Sequence, residues 1–308
     1  MQAIGKIIAE KRKSKAMSQE DLAISLDCTQ QFISKVERDK SGLSKIYQIK
    51  FSKIFDFDFV TLCNNLEHYR SLEHYLFSRE LIIAIEEENR SKIKEILKDE
   101  LLISEFNYGR PLILKLYSKA VIALENKENE RVFKFTLAVF EKDSILEMED
   151  FKLETSQEYR YYSTILVLSI ALEKTGHKAL ALKVLKNTID FLEASYFNVL
   201  AISSIEYFFK KFYIAVLNNY SDLLFILGEN NLALETCDKA IKFAIKNKIL
   251  YTLDFLFYLK IEILYYLDRI NEAKNLRNQL IAFCELTDNF SLIEELDLLI
   301  KEKYPLLF

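Results

Sequence analysis

Apolar residues recur every three or four positions along almost the whole chain, which is the spacing of one face of an α-helix. In the first 57 residues the patterns are short, and they predict four or five short helices. Two of these helices flank a tight connection at residues 26–28. The first is expected to bury Leu22 and Leu26, and the second is expected to bury Ile33 and Val36.

Capping residues mark where these two helices begin. Ser18 is a plausible N-cap, and Asp21 three residues later can complete it in the manner of a capping box. Thr29 is the expected N-cap of the following helix. The order is therefore helix, helix–turn–helix, and a further helix from Ser44 to Phe55.

From about residue 58 the pattern predicts longer helices in antiparallel pairs. In the best supported pairs a glycine that permits positive φ ends the first helix, and an alanine lets the second helix approach closely. Gly176 with Ala181 and Gly228 with Ala233 follow this pattern, and a third pair has Asp268 in place of the glycine. These are tetratricopeptide-like spacings. Two further pairs with degraded anchors are expected at roughly 70–103 and 110–143, and a closing helix at 290–303.

The predicted fold is all-α: an N-terminal helix-turn-helix bundle followed by a right-handed α-solenoid of about five tetratricopeptide-like helix pairs. The bundle is assigned to residues 1–57, a linker helix to 58–70 and the solenoid to 71–308. Only 5 Gly and 2 Pro occur among 308 residues, too few for the closely spaced turns of a β-protein.

The distribution of charge also distinguishes the N-terminal bundle from the rest of the chain. Residues 1–55 hold 11 Lys and Arg against 6 Asp and Glu, whereas the remainder holds 31 against 40. A basic head on an acidic body suggests that only the head binds a polyanion.

Several classes of protein are disfavoured by the sequence. No apolar stretch is long enough to span a bilayer, and the N-terminus lacks the apolar region of a secretory signal. The four cysteines form no CxxC pair, so reduced thiols of a cytoplasmic protein are expected, with no metal site. No catalytic constellation or phosphate loop stands out, so we predict no enzyme activity and no cofactor.

The helix following the turn begins with two adjacent glutamines. In a helix-turn-helix this helix enters the major groove with its N-terminus leading, and a glutamine amide can pair in bidentate fashion with adenine. Lysines nearby would neutralise phosphates without reading sequence, and Gln19 could hold a phosphate at the preceding helix. The predicted contacts to double-stranded operator DNA are Gln19, Thr29, Gln30, Gln31, Ser34, Lys35, Lys40 and Lys45.

The head resembles the Xre/Cro/cI-type helix-turn-helix family over residues 3–56. The matching residues are Arg12, Ser18-Gln19, Leu22-Ala23, Thr29, Ile33-Ser34 and Val36-Glu37-Arg38. The chain departs from the family at Asp27 and at Asp39-Lys40, where glycine is common. The resemblance implies that Arg12 and Glu37 form a structural ion pair.

A head of this type joined to tetratricopeptide-like pairs resembles the peptide-pheromone-sensing regulators of the Rgg, PlcR and PrgX type. The resemblance implies a cytoplasmic, homodimeric transcription regulator in quorum sensing, whose solenoid binds a short signalling peptide. Peptide binding would then shift the population of DNA-competent dimers. Two alternatives stay open: a scaffold or inhibitor that binds a partner protein, and a phage-type repressor that needs no peptide.

In a tetratricopeptide pair the first helix lines the groove. Asn218 and Asn219 lie there side by side, although asparagine is a poor helix former, and each amide could bond both N–H and C=O of an extended peptide. The alternative is hydrogen bonding between helices of the array. The predicted contacts to a short, apolar peptide are Asn218, Asn219, Asp222, Phe225, Tyr258, Glu262 and Tyr265. The equivalent positions of the preceding pair are Ser163, Leu166, Val167, Ile170 and Glu173.

Overall fold

The structure is a computed structural model of the full chain. It describes residues 4–65, 72–99, 103–104, 106–107, 109–154, 159–196, 203–250, 252–287, 298 and 301–302. Helix is the only regular secondary structure in these residues, as the scarcity of glycine and proline predicts. The closing helix expected at 290–303, like the second half of the linker helix expected at 58–70, falls largely outside the described residues.

The fifteen α-helices of the described residues are numbered in chain order. They are α1 Ile4–Ser14, α2 Gln19–Leu26, α3 Gln30–Glu37, α4 Lys45–Phe55, α5 Phe59–Asn65, α6 Leu72–Glu86, α7 Arg90–Ile96, α8 Gly109–Glu125, α9 Asn129–Val139, α10 Tyr159–Lys174, α11 Lys178–Phe191, α12 Ser203–Ile226, α13 Asn230–Lys246, α14 Leu253–Tyr266 and α15 Ile270–Leu286. A short 3₁₀ helix lies at Ile145–Met148 and a π-turn at Leu192–Tyr196.

The chain forms two compact units, residues 1–118 and 119–308. In the first unit a single apolar cluster holds α1 to α5 together. It includes the residues predicted to flank the turn, Leu22, Leu26, Ile33 and Val36, each at most 1% exposed. Phe59 of α5 also belongs to this cluster. The domain boundaries expected at residues 57 and 70 stay predictions.

The predicted helix starts of the head are confirmed. The Ser18 hydroxyl accepts a hydrogen bond from the Asp21 N–H at 3.0 Å, and the Asp21 carboxylate accepts one from the Ser18 N–H at 2.8 Å. This reciprocal pair is a complete capping box. Thr29 caps α3 by accepting from the Phe32 N–H at 3.2 Å.

Aspartate takes over the role of glycine at the helix ends of the head. Asp27, Asp39 and Asp56 all have φ near +50°, in the left-handed region that aspartate tolerates better than most residues. In the turn between α2 and α3, Asp27 thus adopts the left-handed conformation that glycine adopts most readily. Asp39 has a second role, because its carboxylate accepts a hydrogen bond from the Gly5 N–H at 2.9 Å and so caps the start of α1.

Five helix pairs follow the head, and all five are joined by the same turn. The residue two positions before each second helix has a positive φ; these residues are Glu88, Lys127, Gly176, Gly228 and Asp268. In each turn the next N–H donates to the carbonyl five residues earlier, as His177 does to Leu172 at 2.8 Å. This is the 6→1 bond of a Schellman motif, which satisfies a carbonyl at the helix end.

The two pairs with degraded anchors differ at one packing position. Four residues after the turn, the last three pairs have the predicted alanines, Ala181, Ala233 and Ala273, all fully buried. The first two pairs have Ile93 and Val132 there, also fully buried. A larger side chain fills the same position, so the residue pattern is lost while the helix pair is kept.

In the second unit the last three pairs form two layers. The first helices α10, α12 and α14 make one layer, in which α12 packs directly against both neighbours. The second helices α11, α13 and α15 make the other layer, and each packs against its own first helix. Any residue that faces outward from α10, α12 or α14 therefore belongs to one shared surface, which we call the first-helix face.

The close contact between Gly5 of α1 and the end of α3 predicts the effect of adding one methyl group at this position. A Cβ added at Gly5 would lie 2.6 Å from the Glu37 carbonyl oxygen and closer still to that of Val36. We expect Gly5→Ala to destabilise the head by about 2 kcal/mol, because α1 must move away from the end of α3. The change is measured by urea unfolding of the full chain, followed by circular dichroism.

Gly42→Ala is the matched control, because no atom lies within 4 Å of a Cβ built at Gly42 and its φ is not positive. Equal urea midpoints for the two variants would contradict the contact.

Candidate functional site

The glutamines predicted to read DNA occupy the first turn of α3. Gln30 and Gln31 are exposed, and neither side chain has a hydrogen-bond partner among the described residues. Ser34, one turn later, is half-buried, and Lys35 is exposed. The buried side of the same helix is Ile33 and Val36, so the amides project from the face opposite the core.

The predicted phosphate contacts are exposed cations without internal partners. Lys35, Lys40 and Lys45 form no ion pair and no side-chain hydrogen bond within the described part of the chain. Lys50 is different, because its ammonium donates a hydrogen bond to the Leu26 carbonyl at 2.8 Å and so satisfies a carbonyl at the C-terminus of α2. The sequence alone therefore does not distinguish a lysine that bonds within the head from a lysine that is available to bind an anion.

Two of the predicted DNA residues already have structural bonds. The Thr29 hydroxyl accepts the capping bond of α3, and the Gln19 Nε2 donates to a carboxylate oxygen of Glu37 at 2.7 Å. A phosphate at Gln19 would have to use its second amide hydrogen or the main-chain N–H. Both contacts with DNA stay predictions.

Glu37 connects the first three helices. The Arg12 Nε donates to one carboxylate oxygen at 2.6 Å, and an Arg12 terminal nitrogen donates to the other at 3.1 Å. The side chains of Arg12 and Glu37 are 11% and 7% exposed. Burial opposes the ionisation of Glu37, but the bonds from Arg12 and Gln19 outweigh it and lower the pKa of Glu37. The predicted structural ion pair is confirmed, and together with the bond from Gln19 it fixes α3 against α1 and α2.

In the second unit the predicted groove positions of α12 lie on one face. Asn218, Asn219, Asp222 and Phe225 are all half-buried, whereas the intervening residues are mostly buried. Their spacing of three and four residues repeats along the first-helix face of α12. These residues are therefore partly exposed on one side of α12, and their contact with a peptide stays a prediction.

Asn218 has an unsatisfied polar atom on this face. Its Oδ1 is buried and has no hydrogen-bond partner among the described residues. A buried acceptor without a donor costs free energy, so such atoms are rare in folded proteins. The proposed alternative role, bonding between helices of the array, does not account for this oxygen. Asn219 likewise shows no side-chain partner in the described residues.

The neighbouring first helices extend the surface, with one correction. On α14, Tyr258, Glu262 and Tyr265 are half-buried as predicted, and the Tyr258 hydroxyl donates to Glu262 at 3.1 Å. The Phe225 ring contacts the Tyr266 ring edge-on, with centroids 5.2 Å apart. On α10 the assignment of Val167 to the groove is wrong, because it is only 7% exposed and packs in the core.

Three carboxylates from three first helices lie near one another. Burial, together with the negative charges of Glu173 on α10 and Glu262 on α14, raises the pKa of Asp222 to about 6. Asp222 forms no ion pair and no hydrogen bond with any described residue. The sequence named each acid singly but could not place them together, because they are separated by 40 residues or more.

An open cavity of about 680 Å³ lies elsewhere, on the second-helix layer. Its lining is Tyr213, Asn231, Leu234, Glu235, Asp238, Lys239, Lys242, Phe243 and Lys246, and includes no predicted groove residue. Lys239 and the Tyr213 hydroxyl both bond to Glu193, at 2.6 and 2.5 Å. Sequence reasoning missed this cavity, although lysines at i, i+3 and i+7 of α13 were a visible signal. It shares no residue with the predicted groove positions of the first-helix face.

Solved structures supply the comparison with known proteins. PlcR of Bacillus thuringiensis in complex with the peptide PapR7 and DNA is 16% identical with a TM-score of 0.64, over 96% of this chain and 99% of that chain. The chain has the fold of PlcR. The apo form of the competence regulator ComR from Streptococcus vestibularis is 17% identical with a TM-score of 0.52, over 97% of each chain. No protein-family model and no curated protein sequence matches the chain.

The likeness covers the helix-turn-helix and the helix pairs together. Apo PlcR also matches, at 16% identity and a TM-score of 0.58 over 94% of this chain. The all-α fold predicted from the sequence is therefore confirmed, and so is the resemblance to peptide-sensing regulators as a likeness of fold. Separately, none of the described helices combines the length and apolar character needed to cross a membrane.

We expect replacement of Asp222 by a neutral residue to stabilise the protein. The folded pKa of Asp222, about 6, lies above the ordinary value of 3.8, so its ionised form costs stability above pH 6 and costs none below about pH 4. We expect Asp222→Asn to raise the free energy of unfolding by about 2 kcal/mol at pH 7.5, a few degrees in melting temperature. Thermal melting at pH 7.5 and pH 4.5 measures the difference.

The advantage of the variant should shrink as the pH falls through 6 towards 4. Asp190→Asn is the control, because Asp190 pairs with Lys186 at 2.6 Å on the exposed surface of α11. A destabilised Asp222→Asn variant at pH 7.5 would contradict the charge repulsion.

Proposed function

We propose that the chain is a DNA-binding transcription regulator whose second unit binds a short peptide that alters DNA binding. The observation that carries the proposal is the whole-length match to PlcR in a complex that contains both a peptide and DNA. The amides of Gln30 and Gln31 and the Asn218 oxygen, none of which has a partner among the described residues, support it. A cytoplasmic location goes with this function, because operator DNA is found there.

The DNA contact would work by two separable contributions. Glutamine amides at the start of α3 would pair with base edges, which gives sequence preference. Lys35, Lys40 and Lys45 would neutralise phosphates, which gives affinity for any duplex and dependence on salt. The bonds of Arg12 and Gln19 to Glu37 hold α3 in place, so the amides are positioned before DNA arrives. A homodimer would place two such helices on half-sites one helical turn apart.

The peptide would bind on the first-helix face. A half-buried row of polar and aromatic side chains suits an extended backbone with apolar side chains. Asn218 and Asn219 would bond the peptide main chain, and rotation of the Asn218 amide can present either its oxygen or its nitrogen. Any change in DNA affinity must equal the peptide's preference for the DNA-competent form. Regulation by the peptide is thus a coupling free energy that can be measured from either ligand.

Substitution of the two glutamines tests the reading of DNA. Duplexes selected from a random pool by the full chain define the preferred sequence. For Gln30→Ala with Gln31→Ala we expect affinity for that duplex to fall about tenfold to a hundredfold, with little change for unrelated DNA. Fluorescence anisotropy at two salt concentrations measures both.

Lys35→Gln serves as the comparison, because it should weaken binding to both duplexes alike and reduce the salt slope by about one. If wild-type protein selects no duplex at low salt, the scaffold alternative replaces the regulator.

Asn218→Ala tests the peptide site. Peptides that co-purify from the native host are identified by mass spectrometry and then synthesised. We expect Asn218→Ala to weaken peptide binding about tenfold in calorimetry, because two main-chain hydrogen bonds are lost. The free variant should remain folded, since the substitution also removes the unsatisfied oxygen.

Asn231→Ala is the matched control, since Asn231 is exposed on α13 and lines the other cavity. Loss of binding in Asn231→Ala, with Asn218→Ala unaffected, would move the site to that cavity. If no peptide is recovered, the peptide-independent repressor is favoured.

A further inference from the structure

The exposed side of α13 carries charges that are not paired within the chain. Asn231, Glu235, Lys242 and Lys246 are exposed and recur at intervals of four, seven and four positions. At 3.6 residues per turn they lie within about 60° of one another around the helix axis, so they form one straight row. Glu235, Lys242 and Lys246 form no ion pair or side-chain hydrogen bond with any described residue. We call these four residues the α13 stripe.

The other second helices of this layer differ from α13 in their exposed charges. On α11, the exposed Lys186 pairs with Asp190 at 2.6 Å, and Lys183 pairs with Glu149 at 3.4 Å. The exposed side of α15 is mostly uncharged; it includes Asn271, Asn275, Asn278 and Gln279. Within the described part of the layer, a row of unpaired charges of both signs is therefore particular to α13.

The stripe has an acid towards its N-terminal end and bases towards its C-terminal end. Glu235 and Lys242 lie equally far from the midpoint of residues 238–239, and Asn231 and Lys246 lie one turn further out, again equally far. If a second α13 packs antiparallel about the same midpoint, Glu235 of each copy faces Lys242 of the other. Each Lys246 then faces the amide of Asn231, which can accept a hydrogen bond. The stripe is thus complementary to itself.

The charges at the centre of this side of α13 are already neutralised within each chain. A residue close to a two-fold axis meets its own copy, so an unpaired charge there would meet an identical charge. Asp238 pairs with Lys260 at 2.6 Å, and Lys239 pairs with Glu193 at 2.6 Å. The charges that would meet their own kind are therefore paired internally, whereas those that would meet the opposite charge are not.

The same side of α13 offers room and apolar surface to a second helix. The open cavity on the second-helix layer runs along α13, because all its lining residues except Tyr213 belong to this helix. On the flanks of the stripe, Leu232 and Ile245 are 44% and 57% exposed. A partner helix would remove part of both side chains from water, which adds apolar burial to the pairing of charges.

We propose that the α13 stripe is a homodimer interface, in which α13 of one chain packs antiparallel against α13 of a second copy. The contact is isologous, so the pair between Glu235 and Lys242 forms twice. Ion pairs at exposed positions attract only weakly, and they therefore set orientation and register more than affinity. A second copy fits better than an unrelated partner because the surface complements itself. The inference goes beyond peptide and DNA binding, which are measured separately.

Reversal of the charges tests the pairing through rescue. Sedimentation velocity of the full chain over a range of concentrations at low salt gives the dimer dissociation constant. We expect Glu235→Lys or Lys242→Glu alone to raise this constant at least about tenfold, because each places like charges opposite one another twice. The double variant Glu235→Lys/Lys242→Glu restores opposite charges, so its constant should return to within about threefold of the wild-type value.

Glu285→Lys on α15 is the matched control, because it makes the same change of charge at an exposed position outside the stripe. It should leave the dissociation constant unchanged. In high salt, where exposed charges are screened, the difference between the single variants and the wild-type chain should largely vanish.

Cysteine cross-linking tests the orientation and the register of the two helices. A Glu235→Cys chain is mixed with a Lys242→Cys chain under mild oxidation, and the linked peptides are identified by mass spectrometry after proteolysis. We expect a disulfide between the two different chains. Neither chain should link to its own copy at these positions, because the antiparallel arrangement holds identical positions about 10 Å apart along the helix axis, too far for a disulfide.

A chain that stays monomeric at every concentration would overturn the inference. Single variants that dimerise as well as the wild-type chain, or a double variant that dissociates as they do, would also overturn it. Disulfides between identical positions would indicate a parallel contact and overturn the antiparallel arrangement. Peptide and DNA binding by the same preparations show separately whether the proposed function holds.

Discussion

The packing within the helix pairs depends on one backbone conformation. It is the left-handed residue in the turn that ends the first helix of each pair. It recurs at Glu88, Lys127, Gly176, Gly228 and Asp268, each followed by the same hydrogen bond back across the helix end. Because the turn is constant, each second helix returns against its first helix in the same way. The alternation of the two layers in the second unit follows from that repetition.

Layering explains why residues far apart in sequence act together. Glu173, Asp222 and Glu262 share one surface only because α10, α12 and α14 are neighbours in the first-helix layer. In the head, three helices are held together in a different way. Arg12 of α1 and Gln19 of α2 both bond to the Glu37 carboxylate of α3. One part is ordered by a repeated turn and the other by a buried ion pair.

Helical period and capping chemistry were enough to predict the helices of the head and the five helix pairs. Local signals determine these features, as Ser18 and Thr29 show for helix starts. Contacts between distant elements could not be predicted, because nothing in the sequence near Asn218 states whether a donor reaches its oxygen. The prediction that Val167 lines the groove was wrong for the same reason, because the burial of Val167 depends on neighbouring helices. At the shared turn, glutamate, lysine, glycine and aspartate adopt one conformation, so the repeat persists where residue identity has diverged.

The Asn218 oxygen, which has no partner among the described residues, and the repelled carboxylate of Asp222 make the second unit less stable than its helix packing alone would allow. Any molecule that satisfies both groups would shift the folding equilibrium as well as fill a surface. Cellular proteases remove proteins in proportion to the time they spend open. The lifetime of this protein in the cell, and hence its abundance, would then rise with the concentration of such a molecule.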